Sequence, residues 1–414
     1  MFRADFEDAK HTRAFGIMGP VSTLALSVRT SLLGPSPTLA MSARAKRMKD
    51  QGHDVISFAT GEPDFNTPAS ICEAAIKAIK DGHTKYAPSR GIPALQDAVV
   101  KKIQRENGFS VDTSQVVVSC GAKHSLYNAF QTLIDPGDEV VIFAPYWMTY
   151  RDQILLAGGV PVEVRTLVER GFVPDIDDFA RAVTPRTRAV VINTPSNPTG
   201  GAWDEATLRS VVEHALRHNL WIISDEIYER LIYGATKHIS VGAISEAAAA
   251  RTVTVVGCSK TYSMTGWRIG FAVAPPEVAT AMANLQDQVT SNATTFAQFG
   301  AVAALNLPGA EVEAMRAEFE ARRDLGLKIL NEIDGVRTPT PQGAFYFFSD
   351  VSARLGANCP TDMDLAEHLL EHAHVATVPG SVFSGDGCLR MSYATSRENI
   401  EIGLQRFKET VERL

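Results

Sequence analysis

Six short runs of β-branched and apolar residues constrain this chain more than anything else in it. They are QVVVS (115–119), EVVIFA (139–144), RAVVIN (188–193), LWIIS (220–224), TVTVVG (252–257) and RIGFAVA (268–274). Each is continuous rather than alternating, and most lead through a polar or glycine turn into a helical pattern. Such runs between helices predict a mainly parallel sheet covered on both faces. A chain of 414 residues also has room for about two domains. The expected class is α/β, a large domain with a mainly parallel sheet flanked by helices plus a smaller α+β domain.

The pattern changes after about residue 305. A charged helical stretch, EVEAMRAEFEARRDLGLKILNEI, precedes PQGAFYFFSD, a second helix (DMDLAEHLLEHA) and the strand-like LRMSYA. The expected divisions are an N-terminal extension over 1–22, taken as mobile, and an arm with part of the small domain over 23–65. The large domain then covers 66–305 and the small C-terminal domain 306–414.

A net charge of −7 without a basic cluster argues against a nucleic-acid partner. No apolar run approaches the roughly 20 residues of a membrane span. The first twenty residues mix acids with bases and lack an apolar targeting core, so neither a secretory nor an organelle signal is expected. The five cysteines are widely spaced with no CxxC, which suits free thiols in a reducing cytoplasm.

The unusual polar residues lie just past these runs: CGAKH, PYW, TPSNPTG, DEIYE and CSKTYSMTGW. Ligands of open α/β sheets bind outside the carboxyl ends of the strands, so the clusters are expected to converge on one crevice. Lys260 stands there among small and hydroxyl side chains. Desolvated, it is a nucleophile able to form a Schiff base with a carbonyl; exposed, it is an ordinary surface lysine. A pyridoxal phosphate site would also need a carboxylate for the pyridine nitrogen, a phosphate cradle and an anchor for the substrate carboxylate. Asp225 fits the first, or caps a helix. Tyr228 and Asn197 can reach the ring's phenolic oxygen, although NPTG alone is a turn. Gly121, Ala122 and Lys123 open a helix where backbone N–H groups can hold an anion, and Arg268 offers a planar fork for phosphate. Trp147 can stack on a flat ring or fill a core.

GCSKTYSMTGWRIG resembles the lysine motif of the class I/II, fold-type I pyridoxal-phosphate-dependent aminotransferases. TKYAPSRGIPAL, CGAKHSLYN, APYW, NTPSNPTG, SDEIYE, PQGAFY and LRMSYATS resemble the family's other segments in the same order, from about residue 24 to the C-terminus. FATGEPDFNTP and SPTLAM point to the bacterial-type aspartate aminotransferase subgroup, which includes prephenate aminotransferases. The resemblance implies that Lys260 carries the cofactor as a Schiff base, Asp225 pairs with the ring nitrogen, and Asn197 and Tyr228 hold the ring oxygen. Trp147 would stack on the ring, while the Gly121 and Ala122 amides and Arg268 meet the phosphate. Arg390 would clamp the substrate α-carboxylate near Gly61 and Asn197, with Phe345 lining the pocket. Tyr86 would reach the phosphate in the partner subunit of a homodimer. Relatives often carry Ser or Thr where this chain has Gly257; Ser259 is the nearby substitute.

By the same resemblance, Lys123 with Thr38 would take the distal carboxylate of an acidic substrate, since LQDQVTSNATTFAQ contains no arginine in the region used by animal-type enzymes. The implied activity is amino transfer between aspartate or glutamate and oxaloacetate or 2-oxoglutarate, with prephenate as the alternative acceptor. A non-catalytic pyridoxal-phosphate-binding regulator would carry a DNA-binding domain ahead of this region, where only some 22 residues stand. No metal is expected: His368 and His372 fit an HxxEH pattern, but Leu365, Leu369 and Leu370 mark an ordinary amphipathic helix.

Overall fold

The computed structural model describes residues 26–414, so the extension expected over 1–22 lies outside the described residues. Pro35–Leu414 form one compact unit. Past the short strand β1 (Ile56–Ser57), seven strands build the main sheet: β2 (Val116–Ser119), β3 (Glu139–Ala144), β4 (Val160–Arg165), β5 (Thr187–Asn193), β6 (Trp221–Asp225), β7 (Thr252–Gly257) and β8 (Gly270–Val273). Their order across the sheet is β2-β8-β7-β6-β5-β3-β4.

Every residue of β2, β3, β7 and β8 is buried, which is why these strands are dominated by Val, Ile, Phe and Ala. All neighbours pair in parallel except β8, which is antiparallel to both β7 and β2. That one reversal has a direct consequence. The carboxyl ends of the six co-directional strands and the entry to β8 share one edge of the sheet. Residues after β2, β6 and β7 therefore meet the residue leading into β8, Arg268.

Strand β4 is absent from the expected set. Its VPVEVR sequence contains Pro161 and alternates outward, because β4 is the edge strand beyond β3, where a missing N–H is tolerated. The sixth run is also shorter than its sequence suggests. Arg268 sits at φ +55, in the left-handed region, so the strand starts only at Gly270.

Three further strands, β9 (Tyr346–Asp350), β11 (Val378–Pro379) and β12 (Cys388–Ser392), form an antiparallel sheet in the order β11-β12-β9. Between them in sequence, β10 (Val375–Ala376) pairs in parallel with β1. The segment before residue 60 thus joins this C-terminal region by backbone hydrogen bonds as well as by side-chain packing. Phe58, Leu365, Phe319, Phe347 and Phe407 share its core.

The turn after β2 is braced from below by Gln286, on the helix Pro276–Val289, whose side chain is fully buried. Its Oε1 accepts from Ser119 Oγ at 2.7 Å and Asn128 Nδ2 at 3.0 Å, while its Nε2 donates to the carbonyls of Ser89 and Val118 at 2.6 and 2.8 Å. Gln286→Ala leaves four buried groups without this partner. The expected cost is at least about 3 kcal/mol, measured by urea or thermal unfolding.

Candidate active site

At this edge the chain forms a cavity of about 510 Å³. Lys260 enters it from the turn after β7. Its Nζ donates to the Gly61 carbonyl at 2.6 Å and lies 5.8 Å from the centroid of the Phe345 ring. Burial pushes the amine down to about 8; Glu62 and Asp225 pull upward, and the Arg390 and Arg268 charges push further down. No ion pair of Lys260 occurs among the described residues. The lysine is therefore an inward-facing amine whose neutral form, the nucleophile and base, is far more accessible than that of a solvated lysine.

Asp225, the last residue of β6, is 2% exposed. Tyr150 Oη donates to its Oδ2 at 2.6 Å, the Ile227 N–H donates to its Oδ1 at 3.2 Å, and Asn193 Nδ2 holds its backbone carbonyl at 2.9 Å. Burial raises the carboxyl to about 6; the Tyr150 and Ile227 donors oppose this, and the Glu226 charge adds to it. A buried carboxylate without a cation is costly, so the site is suited to receive one.

The turn after β2 is built for close approach. Gly121 has φ +87 and precedes the helix Ala122–Leu133; a Cβ there would stand 2.3 Å from Arg268 Nη2. A Cβ on Gly270 would meet the Ala122 backbone nitrogen at 2.2 Å. The helix N-terminus and the exposed Arg268 thus lie against each other with no side chain between them, an arrangement that favours an anion. Thr265 fixes the guanidinium through its carbonyl, 2.8 Å from Nη1. Ser259 also lines the cavity. Gly257 lies within β7 opposite Gly270, and an added Cβ would come 3.1 Å from the Gly270 Cα. This crowding is the local reason for a glycine where a hydroxyl residue is usual.

On the far side, Arg390 in β12 is 3% exposed. Its Nη1 donates to Asn197 Oδ1 at 2.9 Å and its Nη2 to the Ala59 carbonyl at 2.9 Å, while Nε has no partner. Its guanidinium is sandwiched 4.7 and 4.8 Å from the Tyr346 and Phe383 rings. Asn197, with its oxygen engaged, keeps its amide nitrogen as a donor. Lys123 is exposed overall, yet its ammonium lies 4.7 Å over the Trp147 ring. Desolvation there, and then the Arg268 charge, hold that amine below its usual value against the pull of Asp152. Thr38 also faces this cavity, its hydroxyl 3.0 Å from that of Ser36.

Residues 53–407 match the family model for aminotransferase class I and II. The chain belongs to this family. The aminotransferase is 46% identical over 390 residues to the aspartate aminotransferase of Geobacillus stearothermophilus, covering 94% of this chain and 99% of that one. It is 47% identical over 394 residues to the probable aspartate/prephenate aminotransferase of Aquifex aeolicus, covering 94% of this chain and 99% of that one. The solved aspartate aminotransferase of Thermus thermophilus with maleate superposes at a TM-score of 0.88 with 44% identity, covering 94% of this chain and all of the other. That of Rhizobium meliloti superposes at 0.91 with 41% identity, over 94% of this chain and 100% of that one.

Enzymes of this class depend on pyridoxal 5′-phosphate, and so does this aminotransferase. The residues present fit that group: an uncommitted amine, a buried carboxylate lacking a cation, and a glycine turn against an arginine.

One sequence expectation needs correction. Phe345 does not line the cavity; it is fully buried among Phe319 and Tyr228, and its neighbour Tyr346 faces the cavity instead. Phe345 stands in the turn ahead of β9, next to Ala344 at φ +56, whereas Tyr346 opens the strand, so the turn decides which of the two adjacent rings meets the cavity. Tyr86, expected at the phosphate of the partner subunit, is 92% exposed and stands outside the cavity of its own chain. Gly121 sits directly behind the lining, which begins at Ala122. Sequence reasoning also missed Tyr150, Tyr346 and Glu62. Tyr346 Oη is 2.9 Å from Tyr228 Oη, and Glu62 accepts from Thr265 Oγ1 at 2.7 Å. No spacing rule marks these side chains, because their partners are distant in sequence. The HxxEH pair forms a tilted couple, with ring centroids 4.4 Å apart at 47°, and Glu371 between them in sequence pairs with Arg44.

Because Asp225 is raised in the folded chain, cofactor-free protein should lose stability relative to Asp225→Asn as pH rises from about 4 to about 6. The protonated form is the one the fold favours, so the contribution is full below the unfolded value of 3.8 and gone above about 6. The difference in unfolding free energy should fall by roughly 3 kcal/mol across that window, as read by denaturant titrations at several pH values.

Proposed function

We propose that this chain is an aspartate aminotransferase, moving the amino group between L-aspartate or L-glutamate and oxaloacetate or 2-oxoglutarate in two half-reactions. The observation that carries the reading is a cavity with Arg390 on one wall and Lys123 on another, around the Lys260 amine. Four cationic side chains line it: Lys123, Lys260, Arg268 and Arg390. With Lys260 assigned to the chemistry and Arg268 to the cofactor phosphate, two cations remain, matching the two carboxylates of an acidic amino acid. The aspartate aminotransferase names of the relatives support the same reading.

Lys260 would hold the cofactor, with Asp225 for its ring nitrogen, Asn197 and Tyr228 for its ring oxygen, Trp147 for its ring, and Gly121, Ala122, Ser259 and Arg268 for its phosphate. When bound, pyridoxal phosphate supplies a ring that accepts the electrons released as the substrate Cα–H bond breaks. Arg390 binds the substrate α-carboxylate beside Gly61 and Asn197, and its unpartnered Nε and bidentate geometry suit that anion. Lys123 with Thr38 binds the distal carboxylate. These two contacts turn the single Cα–H of the substrate toward Lys260. The Lys260 amine takes that proton, and its value near 8 keeps it close to the working range of a general base. The Asp225 carboxylate would keep the ring nitrogen protonated.

Prephenate, also a dicarboxylate, fits the same pair of cations, and the Aquifex aeolicus relative bears the name probable aspartate/prephenate aminotransferase. The reading includes a homodimer in which Tyr86 reaches the partner's phosphate; its 92% exposure leaves the side chain available for that. The division into a large domain over 66–305 and a small one over 306–414 also belongs to it, as does a cytoplasmic location, for which the free cysteines speak. No helix among the described residues is long and apolar enough to cross a membrane.

An amino-donor screen against both 2-oxoglutarate and prephenate tests the activity. Lys260→Ala should abolish turnover and the cofactor's visible absorption band. Lys123→Met should lower kcat/KM for aspartate roughly 10–100-fold and change that for alanine by less than about 3-fold. Unchanged aspartate kinetics in Lys123→Met would remove the distal-carboxylate assignment.

A further inference from the structure

Asp225 and Glu226 are consecutive, both buried, and face opposite sides of the end of β6. On the cavity side, Asp225 receives the Tyr150 hydroxyl at 2.6 Å. Tyr150 is itself 2% exposed and is anchored edge-on against Trp147, with ring centroids 5.5 Å apart at 89°. A phenol held this way has one place to put its proton.

On the other side, Glu226 is fully buried and accepts from five donors. Its Oε1 takes Ser224 Oγ at 2.9 Å, Ser240 Oγ at 3.0 Å and the Val241 N–H at 3.1 Å. Its Oε2 takes His238 Nε2 at 3.0 Å and Asn107 Nδ2 at 3.1 Å. A carboxylate so surrounded stays ionised, and those donors hold it below its ordinary value despite its burial. No lysine or arginine side chain pairs with it among the described residues. The nearby Lys102 ammonium is taken by Glu229 and Asn107. The negative charge of Glu226 is therefore not cancelled by an adjacent lysine or arginine, and it acts through a low-dielectric interior on the carboxylate beside it.

We propose that Tyr150 and Glu226 are an opposed pair of positioning residues for Asp225. Tyr150 orients the carboxylate and steadies its charge through one hydrogen bond, while the fixed charge of Glu226 makes Asp225 hold a proton more firmly. Neither touches the reacting atoms. Together they set how strongly Asp225 retains the proton of the ring nitrogen, which is how they bear on catalysis, and that last link rests on the assignment of Asp225 to that nitrogen. The other groups acting on Asp225 are Lys260 and Tyr228 across the cavity and the Ile227 N–H. Around Glu226 the titratable groups are His238 and, within its polar network, Glu229, Lys102 and Glu106. None of these changes in the variants below.

The test compares the full-length protein, freed of cofactor, with Asp or Asn at 225 in three backgrounds: unchanged, Tyr150→Phe and Glu226→Gln. The pH at which the Asp-minus-Asn stability difference levels off reads the Asp225 titration directly. Tyr150→Phe keeps the ring packing and should move that pH upward, and Glu226→Gln should move it downward, each by roughly 0.5–1.5 pH units. The glutamine can be accommodated, since His238 can switch tautomer and the serine hydroxyls can turn. A structural role alone would lower stability in both series and leave the levelling pH in place. An unmoved pH in either variant, or shifts in the same direction, overturns the proposal. Should Glu226→Gln not fold, Tyr150→Phe alone decides it, with an unmoved or lowered pH as the overturning result. A second readout is the dissociation constant of the cofactor from the holoenzyme at neutral pH, expected to rise several-fold in Glu226→Gln. If the titration shifts occur but cofactor affinity is unchanged, the pair acts on Asp225 and the assignment of Asp225 to the ring nitrogen fails instead.

Discussion

The site depends on burying a carboxylate and a guanidinium in one cavity without letting them meet. Asp225 and Arg390 are almost fully enclosed, and no ion pair joins them. Each is held by neutral groups instead: Asp225 by a phenol and one backbone amide, Arg390 by an amide oxygen, a backbone carbonyl and two aromatic faces. Neutral partners fix orientation but leave much of the charge uncompensated. A fold that tolerates this keeps two strong electrostatic demands in reserve for a bound molecule.

The sheet makes that arrangement possible. Six co-directional strands deliver their carboxyl ends to one edge, and the reversed β8 brings Arg268 to the same place. The opposite wall comes from the C-terminal region, where β12 carries Arg390, and from the loop after β1, whose Ala59 and Gly61 carbonyls hold Arg390 and Lys260. Both halves of the cavity therefore share hydrogen bonds across a seam, and the loop at 59–61 touches both Arg390 and Lys260.

Much of this was legible along the chain because burial leaves a composition signature. A strand covered on both faces is mostly apolar, so β2, β3, β5, β6, β7 and β8 announce themselves, and the polar clusters just past their carboxyl ends stand out. The edge strand β4 escaped because an edge needs neither continuous apolarity nor every N–H. The choice between Phe345 and Tyr346 was not legible, since two adjacent aromatic residues differ only in which face they present. Tyr150 was silent for a related reason: a tyrosine near a helix start looks the same whether its hydroxyl meets water or Asp225.

The order of residues thus determined the class of sheet, the edge at which its chemistry gathers, and a set of side chains able to carry a phosphate, a ring nitrogen and a carboxylate. Only the tertiary structure decided which of those side chains are desolvated and by what they are held. Burial and hydrogen-bond partners depend on segments hundreds of residues apart, and they move Lys260 down to about 8 and Asp225 up to about 6. Periodicity in one dimension reports which face of an element is covered. The identity of the group on the other side of that cover is a property of three-dimensional packing alone.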